Sequence, residues 1–263
     1  MTRNLNWDDS DVVEVIGAQA NGPVLILCEH ASNVIPAQYG GLGLSAEARS
    51  SHAAWDPGAR AVAVQLAEAL CSPMVAATVS RLVYDCNRPP EATSAMPDRS
   101  EVIEVPGNRG LSAAERAQRV AQVYTPFCSA VRQVICARKT AGLATALVTI
   151  HSFSPVWFGA QRDCEIGILH DSDTRLADAM LAEAHRLPHR VIRRNDPYGP
   201  EDGVTHSLQL HGLAHDLPNV MIEIRNDLLQ GAESQARLAN EVLTLLRPAL
   251  NVLGETVKGG AHA

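Results

Sequence analysis

Two histidines stand where short apolar runs end: His30 after Val24 to Cys28, and His151 after Thr145 to Ile150. Imidazole nitrogen suits a divalent metal such as zinc, and a catalytic zinc takes three protein ligands while keeping a position open. His30, His151 and one oxygen ligand would meet that need. Glu223 lies inside another apolar run, Val-Met-Ile-Glu-Ile. A glutamate is rarely buried without a partner, so two readings stand for it. It is either one half of an ion pair with Arg225 or another arginine, or a general base that takes a proton from an activated water.

Arg81, Arg88, Arg193, Arg194 and Arg225 fall at the ends of predicted elements. A guanidinium grips a carboxylate through two parallel hydrogen bonds, which points to a small acidic substrate. Asn87-Arg88 is the more pointed case, because the following Pro89-Pro90 stiffens the loop that presents both side chains. Nucleophilic catalysis finds little support: no G-x-S-x-G elbow and no glycine-rich phosphate loop is present. Cys28 and Cys86 adjoin the candidate residues, but neither has neighbours that would lower a thiol pKa.

The elements that must position these residues alternate between strand and helix. The pattern predicts strands at 24–28, 75–79, 145–150, 165–169, 190–192 and 219–224, and helices at 61–70, 112–138, 172–187 and 232–253. Kinks are expected at Pro126 and Pro248. Such alternation implies an α/β fold, a single mixed and mostly parallel sheet with helices on both faces. Ligand sites in such sheets gather beyond the carboxyl ends of the strands, where these polar residues fall. One domain over residues 1–263 is expected, with 1–20 and 255–263 as loose ends.

With 46% apolar residues the chain can build a sizeable core, and a formal net charge of −7 argues against nucleic-acid or membrane-surface partners. No segment approaches the roughly 20 apolar residues of a membrane helix. The six cysteines form no C-x-x-C pair and the N-terminus carries no signal region, so a cytoplasmic setting with free thiols is expected.

The ordered set Glu29-His30-Ala-Ser-Asn33, Trp55-Asp56, Asp85-Cys-Asn87-Arg88-Pro89, His151-Ser152, Asn195-Asp-Pro-Tyr198, Asp202-Gly-Val-Thr-His206 and Glu223-Ile-Arg225-Asn226 resembles the N-formylglutamate amidohydrolase family over about residues 22 to 230. That family is similar in fold to the zinc carboxypeptidases. The resemblance implies hydrolysis of N-formyl-L-glutamate to formate and glutamate, a late step of one route of histidine degradation. It makes His30 and His151 the metal histidines and Glu223 the catalytic glutamate. Asn87 and Arg88 become the pair that holds the substrate carboxylate and polarises the scissile carbonyl, and Tyr198 and His206 part of a substrate lid. Where carboxypeptidases have His-x-x-Glu, this chain has Asn33, a poorer ligand. Asp56 can stand in as the third ligand, or it can cap the helix that starts at Pro57. Glu29 is the weaker choice, since it adjoins His30 and would point to the other face of a strand.

On this reading the metal acidifies a water, Glu223 takes its proton and passes it to the leaving amine, and Arg88 steadies the oxyanion. Arg194 or Arg81 would grip the side-chain carboxylate. The alternatives are an N-acyl amino acid deacylase of other specificity, or a non-catalytic binder of acidic ligands that has lost its metal.

Overall fold

A computed structural model describes residues 12–260. Its main sheet has seven strands: β1 (Val13–Ile16), β2 (Val24–Cys28), β3 (Met74–Ala77), β6 (Ala146–Phe153), β9 (Ile166–Leu169), β10 (Ile192–Arg194) and β11 (Asn219–Arg225). Between them lie two small hairpins, β4 (Arg99–Ser100) with β5 (Ile103–Glu104), and β7 (Val156–Trp157) with β8 (Ala160–Gln161). The strand order is β1-β3-β2-β6-β11-β9-β10. The central four, β3, β2, β6 and β11, run parallel, while β1 and the β9-β10 pair run against them.

The central strands are apolar on both faces because both faces are covered. Of the helices α1 (Ala46–Ser50), α2 (Ala59–Ala69), α3 (Ala113–Arg119), α4 (Thr125–Thr140), α5 (Arg175–Ala182) and α6 (Gly231–Gly260), the second, fifth and sixth close one face. There Ile26, Val148 and Ile222 pack with Val62, Leu66, Met180 and Leu245. On the other face α4 brings Phe127, Val131 and Val134 against Leu25, Leu27, Leu147 and Met221. The mixed, mostly parallel sheet between helices is therefore present.

Several local expectations change. The stretch 1–20 was expected to be loose, yet Val13–Ile16 pairs with Met74–Ala77 as an edge strand; residues 1–11 and 261–263 lie outside the described ones. At the other end α6 continues to Gly260 and carries Pro248 within it. The helix continues through it, with side chains from Leu238 to Leu253 packed in the core shared with α2 and α5. The turn before Pro126 is a π-helical segment, Val120–Tyr124, which hands α3 on to α4. Strand β6 runs on to Phe153, so His151 lies inside the strand. None of the helices among the described residues is long and apolar enough to cross a membrane.

Candidate active site

The carboxyl ends of the four parallel strands open onto a cavity of about 310 Å3, lined among others by His30, His52, Asp56, Arg81, Asn87, Arg88, His151, Tyr198 and Glu223. His30 follows β2 directly. The peptide N–H of Asp56 donates to the His30 carbonyl at 3.0 Å, which pins the start of the α2 connection against the strand end. The Asp56 carboxylate turns inward, away from the helix, and Oδ2 also accepts from Ser152 N at 3.2 Å. Its helix-capping alternative is not realised, for α2 is entered through Gly58 with no side-chain cap.

Three atoms of different elements converge here. His30 Nδ1 lies 3.2 Å from Asp56 Oδ2, His151 Nδ1 lies 3.0 Å from the same oxygen, and the two Nδ1 atoms are 3.2 Å apart. All three side chains are almost wholly buried. The far side of each imidazole meets a carboxylate of its own. His30 Nε2 donates to Asp85 Oδ1 at 2.7 Å, and His151 Nε2 is 3.2 Å from Glu29 Oε2, within ion-pair reach though off a good hydrogen-bond line. Carboxylates placed behind imidazoles are what fix the tautomer of metal-ligating histidines.

The donor set fits a cation. With Nε2–H turned to a carboxylate, each neutral ring presents its Nδ1 lone pair to the other ring and to Asp56, a crowding that a positive ion relieves. Tetrahedral zinc with bonds of about 2.0–2.1 Å needs ligand atoms about 3.3 Å apart, close to the triangle observed. His30, Asp56 and His151 can thus hold a metal. Without one, burial tends to lower the His151 pKa, but Glu29, Asp56 and Glu223 outweigh it and hold the imidazole well above its usual range.

Glu223 reaches the same cavity from β11, where the parallel register sets it opposite His151 of β6. Its Oε2 is buried without a hydrogen-bond partner among the described residues. Burial pushes its carboxyl up to about 7, with His151 pulling the other way and the Asp56 charge adding to the rise. An ion pair with Arg225 does not form: that guanidinium goes to Asp227 Oδ1 at 2.8 Å and to the carbonyls of Arg162 and Asp163.

The loop after β3 supplies the other polar walls. Asp85 Oδ1 accepts from Asn87 N at 2.9 Å, a local turn that aims the segment into the site. Arg81 is spent on protein carboxylates, Asp56 Oδ1 at 3.3 Å and Asp85 Oδ2 at 2.9 Å. Burial works against its charge, but His30, Arg81 and Arg88 outweigh it and keep the Asp85 carboxyl well below its usual range. Arg88 lines the cavity with its Nη1 on the Asn87 carbonyl at 2.8 Å, and no ion pair forms on it among the described residues. Asn87 uses its amide on the chain itself, donating to Val204 O at 2.6 Å and accepting from Ser207 N at 2.9 Å.

Several expected residues lie elsewhere. Asn33 donates to the Arg49 carbonyl at 3.1 Å and stands apart from the histidine pair, as Asp56 takes the third corner. Arg194 is held by Asp178 and by His170 Nε2, away from the cavity lining. His206 shares a 2.8 Å hydrogen bond with the Tyr124 hydroxyl and does not line the cavity. Tyr198 does line it, with its oxygen accepting from Arg162 Nη1 at 3.0 Å. The sequence reading did not single out Asp85, His52, Trp157 or Arg162, and it set Glu29 aside. Asp85 was within reach, two residues ahead of Asn87 in the same motif, but nothing in its spacing says that it backs His30.

Comparison with known proteins defines the class and then the family. The fold and the site belong to a hydrolase acting on amide bonds. More particularly, the chain belongs to the N-formylglutamate amidohydrolase family, whose model matches residues 22–230. The crystal structure of a gene product of Agrobacterium tumefaciens is similar at 54% identity and a TM-score of 0.91, over 94% of this chain and 97% of that one. An N-formylglutamate amidohydrolase from Ralstonia eutropha shares the fold at a TM-score of 0.63 and 19% identity, over 95% of this chain and 99% of that one. No curated protein matches the chain.

Proposed function

We propose that this enzyme hydrolyses the N-formyl amide of N-formyl-L-glutamate, or of a closely similar N-acyl amino acid, with zinc as its metal. The observation that carries the reading is the meeting of His30, Asp56 and His151 in one cavity with the Glu223 carboxylate, whose buried Oε2 has no hydrogen-bond partner among the described residues. A divalent cation held by those three would supply Lewis-acid chemistry, polarising the amide carbonyl and making a water a stronger acid. Asp85 and Glu29 keep the two imidazoles turned so that Nδ1 faces the cavity.

Glu223, buried and poised near neutrality, accepts the proton of the attacking water and returns it to the departing amine nitrogen. The new C–O bond forms first, leaving a tetrahedral carbon with its charge on the former carbonyl oxygen, and the C–N bond breaks as that charge returns, giving formate and the free amino acid. Arg88, with no carboxylate on it among the described residues, supplies positive charge to the acyl oxygen as it becomes an oxyanion. The same arrangement serves a deacylase for other acyl groups. The reading as a non-catalytic binder rested on Asn33 replacing a metal carboxylate, and it loses its ground with Asp56 beside the histidines.

Formate release from N-formyl-L-glutamate, followed with and without chelator and after zinc is restored, tests this. Activity should vanish with the chelator and return with zinc. Purified protein that binds zinc yet frees no formate from any N-formyl amino acid would overturn it.

A further inference from the structure

Arg81 lines the cavity, yet both amino ends of its guanidinium are taken by aspartates of the histidine site. Nη1 donates to Asp56 Oδ1 at 3.3 Å and Nη2 to Asp85 Oδ2 at 2.9 Å. In each carboxylate the other oxygen serves the histidines. Asp56 Oδ2 is the atom 3.2 Å from His30 Nδ1 and 3.0 Å from His151 Nδ1. Asp85 Oδ1 accepts from His30 Nε2 at 2.7 Å. One guanidinium thus holds the remaining oxygen of two carboxylates, the third corner of the site and the group that backs the first corner.

The backbone fixes where that guanidinium starts. Ser80, the residue before it, is buried and donates from its N–H to the Val34 carbonyl at 2.7 Å. Its hydroxyl donates to the Ala54 carbonyl at 2.8 Å, two residues ahead of Asp56. The loop that carries Arg81 is therefore tied to the segment that carries Asp56. Both aspartates are almost wholly buried, and Arg81 is half-buried beside them.

Carboxylates bind cations through one oxygen or through both. Through both, Asp56 would fill the position that a catalytic metal keeps open. A hydrogen bond from Arg81 keeps Oδ1 from that use, and the planar fork spans two carboxylates where an ammonium is a single point of charge. Resting on the metal-dependent reading proposed above, we infer that Arg81 is a positioning residue of the metal centre, restricting Asp56 to one ligating oxygen, Oδ2, and steadying His30 through Asp85.

The charge and the contacts of Arg81 act in opposite directions. Loss of a positive charge beside a cation site tightens its hold on the ion, whereas loss of the two carboxylate contacts loosens it. Zinc dissociation constants, from competition with a chromophoric chelator, are compared for wild type, R81M and R81K, with the visible spectrum of each protein loaded with Co2+. Removing the partners of ligand residues costs roughly ten- to a hundredfold in metal affinity, and R81M should weaken zinc binding by about that factor. R81K, which keeps the charge without the fork, should fall between, and it carries the comparison if R81M does not fold. Absorption per Co2+ should drop in the variants, as the freed Oδ1 adds a ligand and takes the centre away from tetrahedral geometry. Zinc held as tightly in the folded variants as in wild type, or a Co2+ spectrum common to all, overturns the assignment. So does a rise in KM for N-formyl-L-glutamate with metal binding intact, the mark of a substrate grip. A wild type that binds neither ion removes the metal-dependent reading, and this inference with it. The metal readings need no turnover, so failure to release formate would remove the activity proposed above and leave them to decide this inference.

Discussion

At the scale of single residues, Glu223 carries the heaviest chemical demand. A carboxylate with a buried oxygen lacking a hydrogen-bond partner is costly to a fold unless something uses it. Glu223→Gln keeps the shape and removes the carboxylate proposed as the proton acceptor. It should lower kcat by roughly a hundredfold or more, the usual worth of a positioned base, while zinc content stays at the wild-type level. Near-normal turnover in a zinc-loaded E223Q would show that another group takes the proton. The residue types at this site were readable from the chain; their partners were not. Arg81 and Arg88 look alike in sequence, yet one is consumed by two aspartates and the other is left for the cavity.

At the scale of elements, the site depends on strand register. The β6-β11 pairing sets Glu223 beside His151, and the antiparallel β11-β9 pairing sets Glu223 opposite Gly167. A Cβ on Gly167 would stand 2.2 Å from the Asp196 carbonyl, two residues before Tyr198. G167A must therefore push the Asn195–Tyr198 segment outward. It should cost about 1–3 kcal/mol in stability and raise KM through displacement of Tyr198, with zinc affinity unchanged. A G167A protein with wild-type melting and KM would show that the segment yields freely. Strands β2, β6 and β11 were legible because continuous apolar runs bounded by polar clusters mean burial on both faces. Edge strand β1 was not legible, since one buried and three half-buried residues gain their order by pairing with β3. The same holds for the two-residue hairpins.

At the scale of the whole molecule, the buried charges make stability depend on pH and on the metal together. In metal-free protein Glu223 titrates near 7 when folded, against about 4.3 in an unfolded chain. The native state then holds a proton that the unfolded state has lost, so stability falls as pH rises from about 4 to about 7. His151 works in the same direction at higher pH: its folded pKa is raised, and stability is lost as the pH climbs from about 6.5 through that value. Asp85 works the other way below about pH 4, where its depressed folded pKa is lost as a source of stability. Chelator-treated protein should thus melt highest in mildly acidic buffer and progressively lower toward pH 8. Added zinc should raise the melting temperature more at pH 8 than at pH 6. Thermal melts at several pH values with and without zinc check this, and equal zinc shifts at both pH values would contradict the arrangement of charges described here.

From the chain alone one could read the alternation of elements, the sheet that follows from it, the two histidines at strand ends and the glutamate inside an apolar run. These are local properties: periodicity, composition and order along the sequence. The choice between Asn33 and Asp56, the pairing of each imidazole with its own carboxylate, and the placing of the Arg162 guanidinium against three rings belong to the tertiary structure. They depend on side chains from separate strands and loops meeting in space, and residues 26 to 121 positions apart acquire a common geometry only when the sheet closes its register.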